Sequence, residues 1–140
     1  MNKTLRNKAL KNASRLITAD MNGEDWCAPD GYFATAYPIY DGYKVKKDQT
    51  LLEGKPLLHK ILPTCAYSLA EYEKTIIDGY TDFSGTGTDI SYRVDNDYYH
   101  FLKHLYPEAL PFIANDGNKY APIELINDGA LVAVIMPVKQ

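Results

Sequence analysis

The chain has 140 residues, 46% hydrophobic and 24% charged, which is enough to bury one independent core and too little for a second full domain. No run approaches the ~20 apolar residues of a bilayer crossing, and the start MNKTLRNKALKNASRL lacks the apolar middle of a secretory signal. A single domain over residues 1–140, cytoplasmic and away from membranes, is expected. The net charge of −3 argues against a generic nucleic-acid binder, but it is unevenly spread. Lys3, Arg6, Lys8, Lys11 and Arg15 give residues 1–19 a charge of +5 with no acid, which leaves −8 on the remainder.

Leu5, Ala9, Ala13, Leu16 and Ile17 recur at helical spacing and predict a helix over about residues 3–18 with an apolar stripe. On that wheel Lys8, Lys11 and Arg15 lie opposite the stripe, with Lys3 and Arg6 on its flanks, so the exposed face is basic. The stretch DGYFATAYPIYDGYKVKK follows. Its aromatic and β-branched residues, broken by Asp-Gly at 30–31 and 41–42, predict strands joined by tight turns, with an edge or bend at Pro38. LLEGKPLLHKILPTC has no clear period. SLAEYEKTIIDG supports two readings, a helix from Ser68 and Glu71 as a capping box with Gly79 closing it, or a strand from Tyr72, Thr75, Ile76 and Ile77.

ISYRV reads as a strand, and Asp95 or Asn96 can cap a second helix that stops near Pro107. Tyr98, Phe101, Leu102 and Leu105 are its expected buried stripe, with His100, Lys103 and His104 pointing away beside Asp97. LPFIAN, APIELI and ALVAVIMPV then predict three strands separated by DGNKY and by the NDG turn at 127–129, an antiparallel meander.

Several chemistries find part of what they need. DFSGTGTD is glycine-rich but lacks the Gly-Lys-Ser/Thr ending that holds a nucleotide and its metal, so it reads as a loop. HFLKH sets His100 and His104 one helical turn apart, a spacing that can hold a divalent metal. A catalytic zinc needs a third ligand, and no Glu follows His100, so a metal-dependent hydrolase built on this pair is the enzyme alternative. Cys27 and Cys65 have no CxxC spacing and no protease signature around them; a disulfide and two unpaired thiols are both open, and no role is assigned. Glu24 and Asp25 read as solvated turn residues rather than an acid/base pair. Tyr32, Phe33, Tyr37, Tyr40 and Tyr43 could stack on bases, but β-propensity and core packing account for the same density. No catalysis, cofactor or metal is expected.

The segment ISYRVDNDYYHFLKHLYPEALPFIANDGNKYAPIELINDGALVAVIMPVKQ resembles the end of the last domain of bacterial sliding clamps, the β subunit of DNA polymerase III. In that family a strand leads into a helix, three strands follow, and the last one is closed by Met-Pro-Met-Arg-Leu; here the tail is Met136-Pro137-Val138-Lys139-Gln140. GYFATAYPIYDGYKV is more loosely similar to the family's Ala-Thr-Asp-Gly-His-Arg stretch, at Ala34 and Thr35. The resemblance implies an α+β, sliding-clamp-like domain with two helices packed on antiparallel sheet. Family members carry three such domains and pair into a ring of six, so a homo-oligomer is implied, whereas this chain has room for one domain. It also opens directly on the first helix.

In clamps each domain turns two helices toward double-stranded DNA, which here would present Lys8, Lys11 and Arg15 from one helix and His100, Lys103 and His104 from the other. The family's terminal residues line an apolar pocket for short peptides of replication and repair proteins, at positions matched by Val134, Met136, Pro137 and Val138. A non-catalytic domain associated with DNA or replication proteins is therefore the expectation. The alternative from another class is a small protein-interaction or regulatory module, of the kind mobile elements carry, that does not bind DNA.

Overall fold

The computed structural model describes residues 3–21, 23–36, 43–54, 67–85 and 90–138. The chain is mixed α+β and divides into two compact units, Met1–Leu62 and Pro63–Gln140.

The first unit opens with α1, Lys3–Asn12, followed by β1 (Arg15–Met21), β2 (Glu24–Pro29), β3 (Phe33–Ala36) and β4 (Thr50–Glu53). The expected helix over 3–18 is therefore cut short, and Arg15, Leu16 and Ile17 stand on a strand. Two long-range polar side chains make the break. The Gln49 amide donates to the carbonyls of Leu10 (2.5 Å) and Ala13 (2.7 Å), taking acceptors that a continuing helix would use. The Asp30 carboxylate accepts from the backbone N–H groups of Ser14 (3.1 Å) and Arg15 (2.9 Å), and the Asp30 N–H returns a bond to the Arg15 carbonyl at 2.8 Å. Leu16 and Ile17 fit the helical spacing by coincidence of number.

β1 pairs antiparallel with β2 from Leu16↔Pro29 to Met21↔Glu24, and β2 pairs with β3 through Trp26↔Ala36 and Cys27↔Thr35. The Asp30-Gly31 turn joins β2 to β3 as expected, both residues having positive φ (54° and 79°), a conformation Asp and Gly tolerate. The sheet is not wholly antiparallel, because β4 runs parallel to β1 from Arg15↔Thr50 to Thr18↔Glu53. Leu10, Ala13, Leu16, Cys27 and Tyr43 pack together as a core cluster. The buried face of α1 is also turned from the one expected, since Arg6 and Leu10 have no exposed surface while Ala9 is only half-buried. The expected turn at 41–42, Pro38, most of LLEGKPLLHKILPTC and the side chain of Leu5 lie outside the described residues.

In the second unit SLAEYEKTIIDG takes its strand reading. β5 (Tyr67–Leu69) and β6 (Tyr72–Ile76) form, and Gly79 at φ 90° turns the hairpin into β7 (Tyr80–Ser84) instead of ending a helix. β8 (Tyr92–Asp95) completes a sheet in the order β6-β7-β8 and runs into α2, Asn96–Leu105. Asp95 caps α2 as expected, its carboxylate accepting from the N–H groups of Asp97 and Tyr98. The buried stripe is Tyr99, Leu102 and Leu105, one position round from the expected Tyr98 and Phe101, which are half-buried. The Tyr99 ring meets Phe83 of β7 edge-on at 5.0 Å, and α2 packs on β7, β8 and β11. The meander forms as read: β9 (Leu110–Ala114), β10 (Ile123–Asn127) and β11 (Ala130–Ile135), with Asp128 and Gly129 both at positive φ in a two-residue hairpin turn. β5 adds to β9. Each unit thus contains a helix followed by three strands in an antiparallel meander.

The break after α1 gives a stability test. Gln49→Ala removes the bond to the Ala13 carbonyl and one of the bonds to the Leu10 carbonyl, which still accepts from the Tyr43 hydroxyl and the Ala13 N–H, and is expected to cost about 1–3 kcal/mol. Urea denaturation checks it; a loss below about 0.5 kcal/mol would show that the amide does not hold the helix end.

Candidate nucleic-acid interface

α1, with the sequence KTLRNKALKN, carries no acidic residue. Lys8 and Lys11 are exposed, and with Thr4, Asn7 and Asn12 they line a shallow concavity of about 320 Å³ whose lining residues are all polar. Arg6 does not join them. It is wholly buried, and its guanidinium donates to the Asn7 side-chain carbonyl at 3.3 and 3.4 Å. That bond occupies the acceptor end of the Asn7 amide and leaves its N–H groups available as donors. Arg15 is exposed on β1, off the helix, so the three cations expected on one helical face are two on α1 and one on a strand.

On α2, His100 and His104 are exposed. Lys103 is not a free cation: its ammonium donates to the carbonyls of Pro107 (3.2 Å) and Ala109, closing the turn after the helix. It serves the C-terminal end of α2, where unpaired carbonyls favour a positive group. The sequence signal for this role was Pro107, which ends the helix within reach of a lysine four residues earlier.

The tail positions separate by burial. Val134 has no exposed surface and belongs to the core of the second unit, whereas Met136, Pro137 and Val138 are half-buried. The Val138 N–H donates to the Arg93 carbonyl at 2.8 Å, tying the end of the chain to β8. Arg93 in turn forms a bidentate pair with Asp82 directly across the β7–β8 ladder, at 2.8 and 3.1 Å.

The other candidate chemistries find less. Cys27 is a free, buried thiol, and burial pushes its pKa up to about 12, which keeps it protonated and unreactive. Cys65 lies outside the described residues. Among the described residues no group of three or more His, Cys, Asp and Glu is placed to hold a metal, so the hydrolase reading gains no third ligand. Tyr92 is a core residue whose hydroxyl donates to the Ala114 carbonyl at 2.9 Å, and the hydroxyl of half-buried Tyr67 donates to the Pro122 carbonyl at 2.6 Å. Among the described residues no helix is long and apolar enough to cross a membrane.

Cys27 supplies a chemical test. The unfolded thiol ionises from the ordinary value of 9.0 and the folded one only near 12. Between these values the unfolded state binds fewer protons, so this contribution to stability is complete below pH 9.0 and is lost as pH rises toward 12. In a Cys65→Ser chain, iodoacetamide should alkylate native Cys27 roughly a thousandfold more slowly than the denatured chain, the ratio set by its thiolate fraction. Equal rates would contradict its burial.

No protein-family model, no curated protein and no solved structure matches the chain.

Proposed function

We propose that the chain is a non-catalytic, clamp-like α+β domain that associates with double-stranded DNA, with the exposed face of α1 meeting the phosphate backbone. The observation that carries this reading is the acid-free surface of Lys8 and Lys11 flanked by amide and hydroxyl side chains. Ammonium groups neutralise phosphates, and neutral donors beside them add hydrogen bonds that ignore base sequence. The acidic balance of the remainder suits surfaces turned away from a polyanion.

Two features support the clamp-like part of the reading. β8, α2 and the β9–β11 meander follow the order that the family likeness implies, and the first unit repeats a helix followed by three antiparallel strands. His100 and His104 belong to the same proposal as residues of the second exposed helix face, and Arg15 as an adjunct on β1. The peptide site borrowed from the family reduces to Met136, Pro137 and Val138, because Val134 lies fully inside.

Duplex binding measured as a function of salt tests the reading. Replacing Lys8 and Lys11 together by Ala should weaken binding to all sequences alike and flatten the slope of log K against log salt by about two units. Lys119→Ala, an exposed cation elsewhere, should leave the slope within experimental error. A slope unchanged by the double replacement removes this face from the mechanism. A chain that binds no duplex at low salt overturns the DNA reading and leaves the protein-interaction module.

A further inference from the structure

We propose that His100 and His104 form a surface chelate for a divalent cation of the zinc class, with water completing its coordination. This site is separate from the contact proposed for α1 and does not depend on it. The two residues stand four apart on the exposed side of α2, which sets their Cβ atoms about 5–6 Å apart. A single ion bound about 2.0–2.1 Å from a nitrogen of each ring can span that gap. The helix beneath is well anchored, capped by Asp95 and buried through Tyr99, Leu102 and Leu105.

The geometry also selects the ligating atom. His104 Nδ1 lies 2.7 Å from the backbone carbonyl oxygen of His100. A carbonyl can only accept, so Nδ1 carries the hydrogen and Nε2 holds the lone pair. This is the arrangement in which a second partner fixes the tautomer and orientation of a metal-binding imidazole. His100 is braced differently, its ring 5.7 Å from that of buried Tyr99 and tilted by 43°. The surrounding charge suits a cation. Lys103, the nearest ammonium in sequence, is drawn off to the Pro107 and Ala109 carbonyls; Asp97 is exposed one turn before His100; and His104 stands in the last turn of α2, at the negative end of the helix dipole. With two protein ligands the site is open and exchangeable, unlike a closed structural zinc site or a three-ligand catalytic one.

Calorimetric titration with zinc chloride, slightly above neutral pH, tests the proposal. The intact chain should bind a single ion and its Tm should rise with zinc and fall back with EDTA, since a ligand that favours the folded state stabilises it. His100→Ala and His104→Ala should each weaken binding by about 10-fold or more, and the double variant should lose both the heat and the Tm response. Both positions are exposed, so the variants should keep the helical circular dichroism of the parent without metal. Absence of zinc binding, or an affinity retained by the double variant, overturns the proposal, the latter by placing the ion elsewhere on the chain.

Discussion

The first unit depends on how the backbone is handed from helix to strand at residues 12–15. Gln49 donates to the carbonyls of Leu10, in the last turn of α1, and of Ala13 just past it, and Asp30 takes the N–H groups of Ser14 and Arg15 beyond the helix. Helix ends carry such unsatisfied groups by necessity, and here both sets are met by side chains distant in sequence. The consequence is architectural. β1 starts at Arg15, lies between β2 and β4, and brings Leu16 against Leu10, Ala13, Cys27 and Tyr43. Without the two polar partners the same residues could prolong the helix that their spacing suggests.

The same break decides how charge is displayed. A helix continuing through residue 18 would have carried Arg15 in line with Lys8 and Lys11. The observed ending confines the helical cations to a short polar concavity and moves Arg15 to a strand. Arg6 is withdrawn altogether, and its bond to Asn7 turns a buried cation into a support for a half-buried neutral donor. The electrostatic surface is therefore smaller than the count of basic residues suggests, and more defined.

What could be read from the sequence was local. Asp95 before an amphipathic run, Pro107 after it, and the Asp-Gly pairs at 30–31 and 128–129 each act through their own backbone, and α2, both turns and the three-stranded meander form accordingly. What escaped required partners far away. The end of α1 depends on Gln49, some forty residues later; the fate of SLAEYEKTIIDG depends on pairing of β6 with β7 and β5 with β9, which overrides the capping-box pattern. The helix stripes were each misplaced by about one position, because Arg6 and Tyr99 are buried against their polar character and only tertiary contacts, such as Tyr99 with Phe83 and with the Glu73 carboxylate at 3.2 Å, show why. Of the candidate site, Lys8, Lys11, His100 and His104 are exposed as read, while the duties of Lys103 and Val134 belong to the fold.

The central functional claim is that α1 presents a phosphate-binding face. Its most direct measurement is a titration of the isotope-labelled chain with a short DNA duplex at low salt, followed residue by residue by NMR. The account predicts shift changes concentrated at Thr4, Asn7, Lys8, Lys11 and Asn12 and reversed by added salt. Silence at these residues while the duplex saturates another surface, such as β5 to β7, would contradict it.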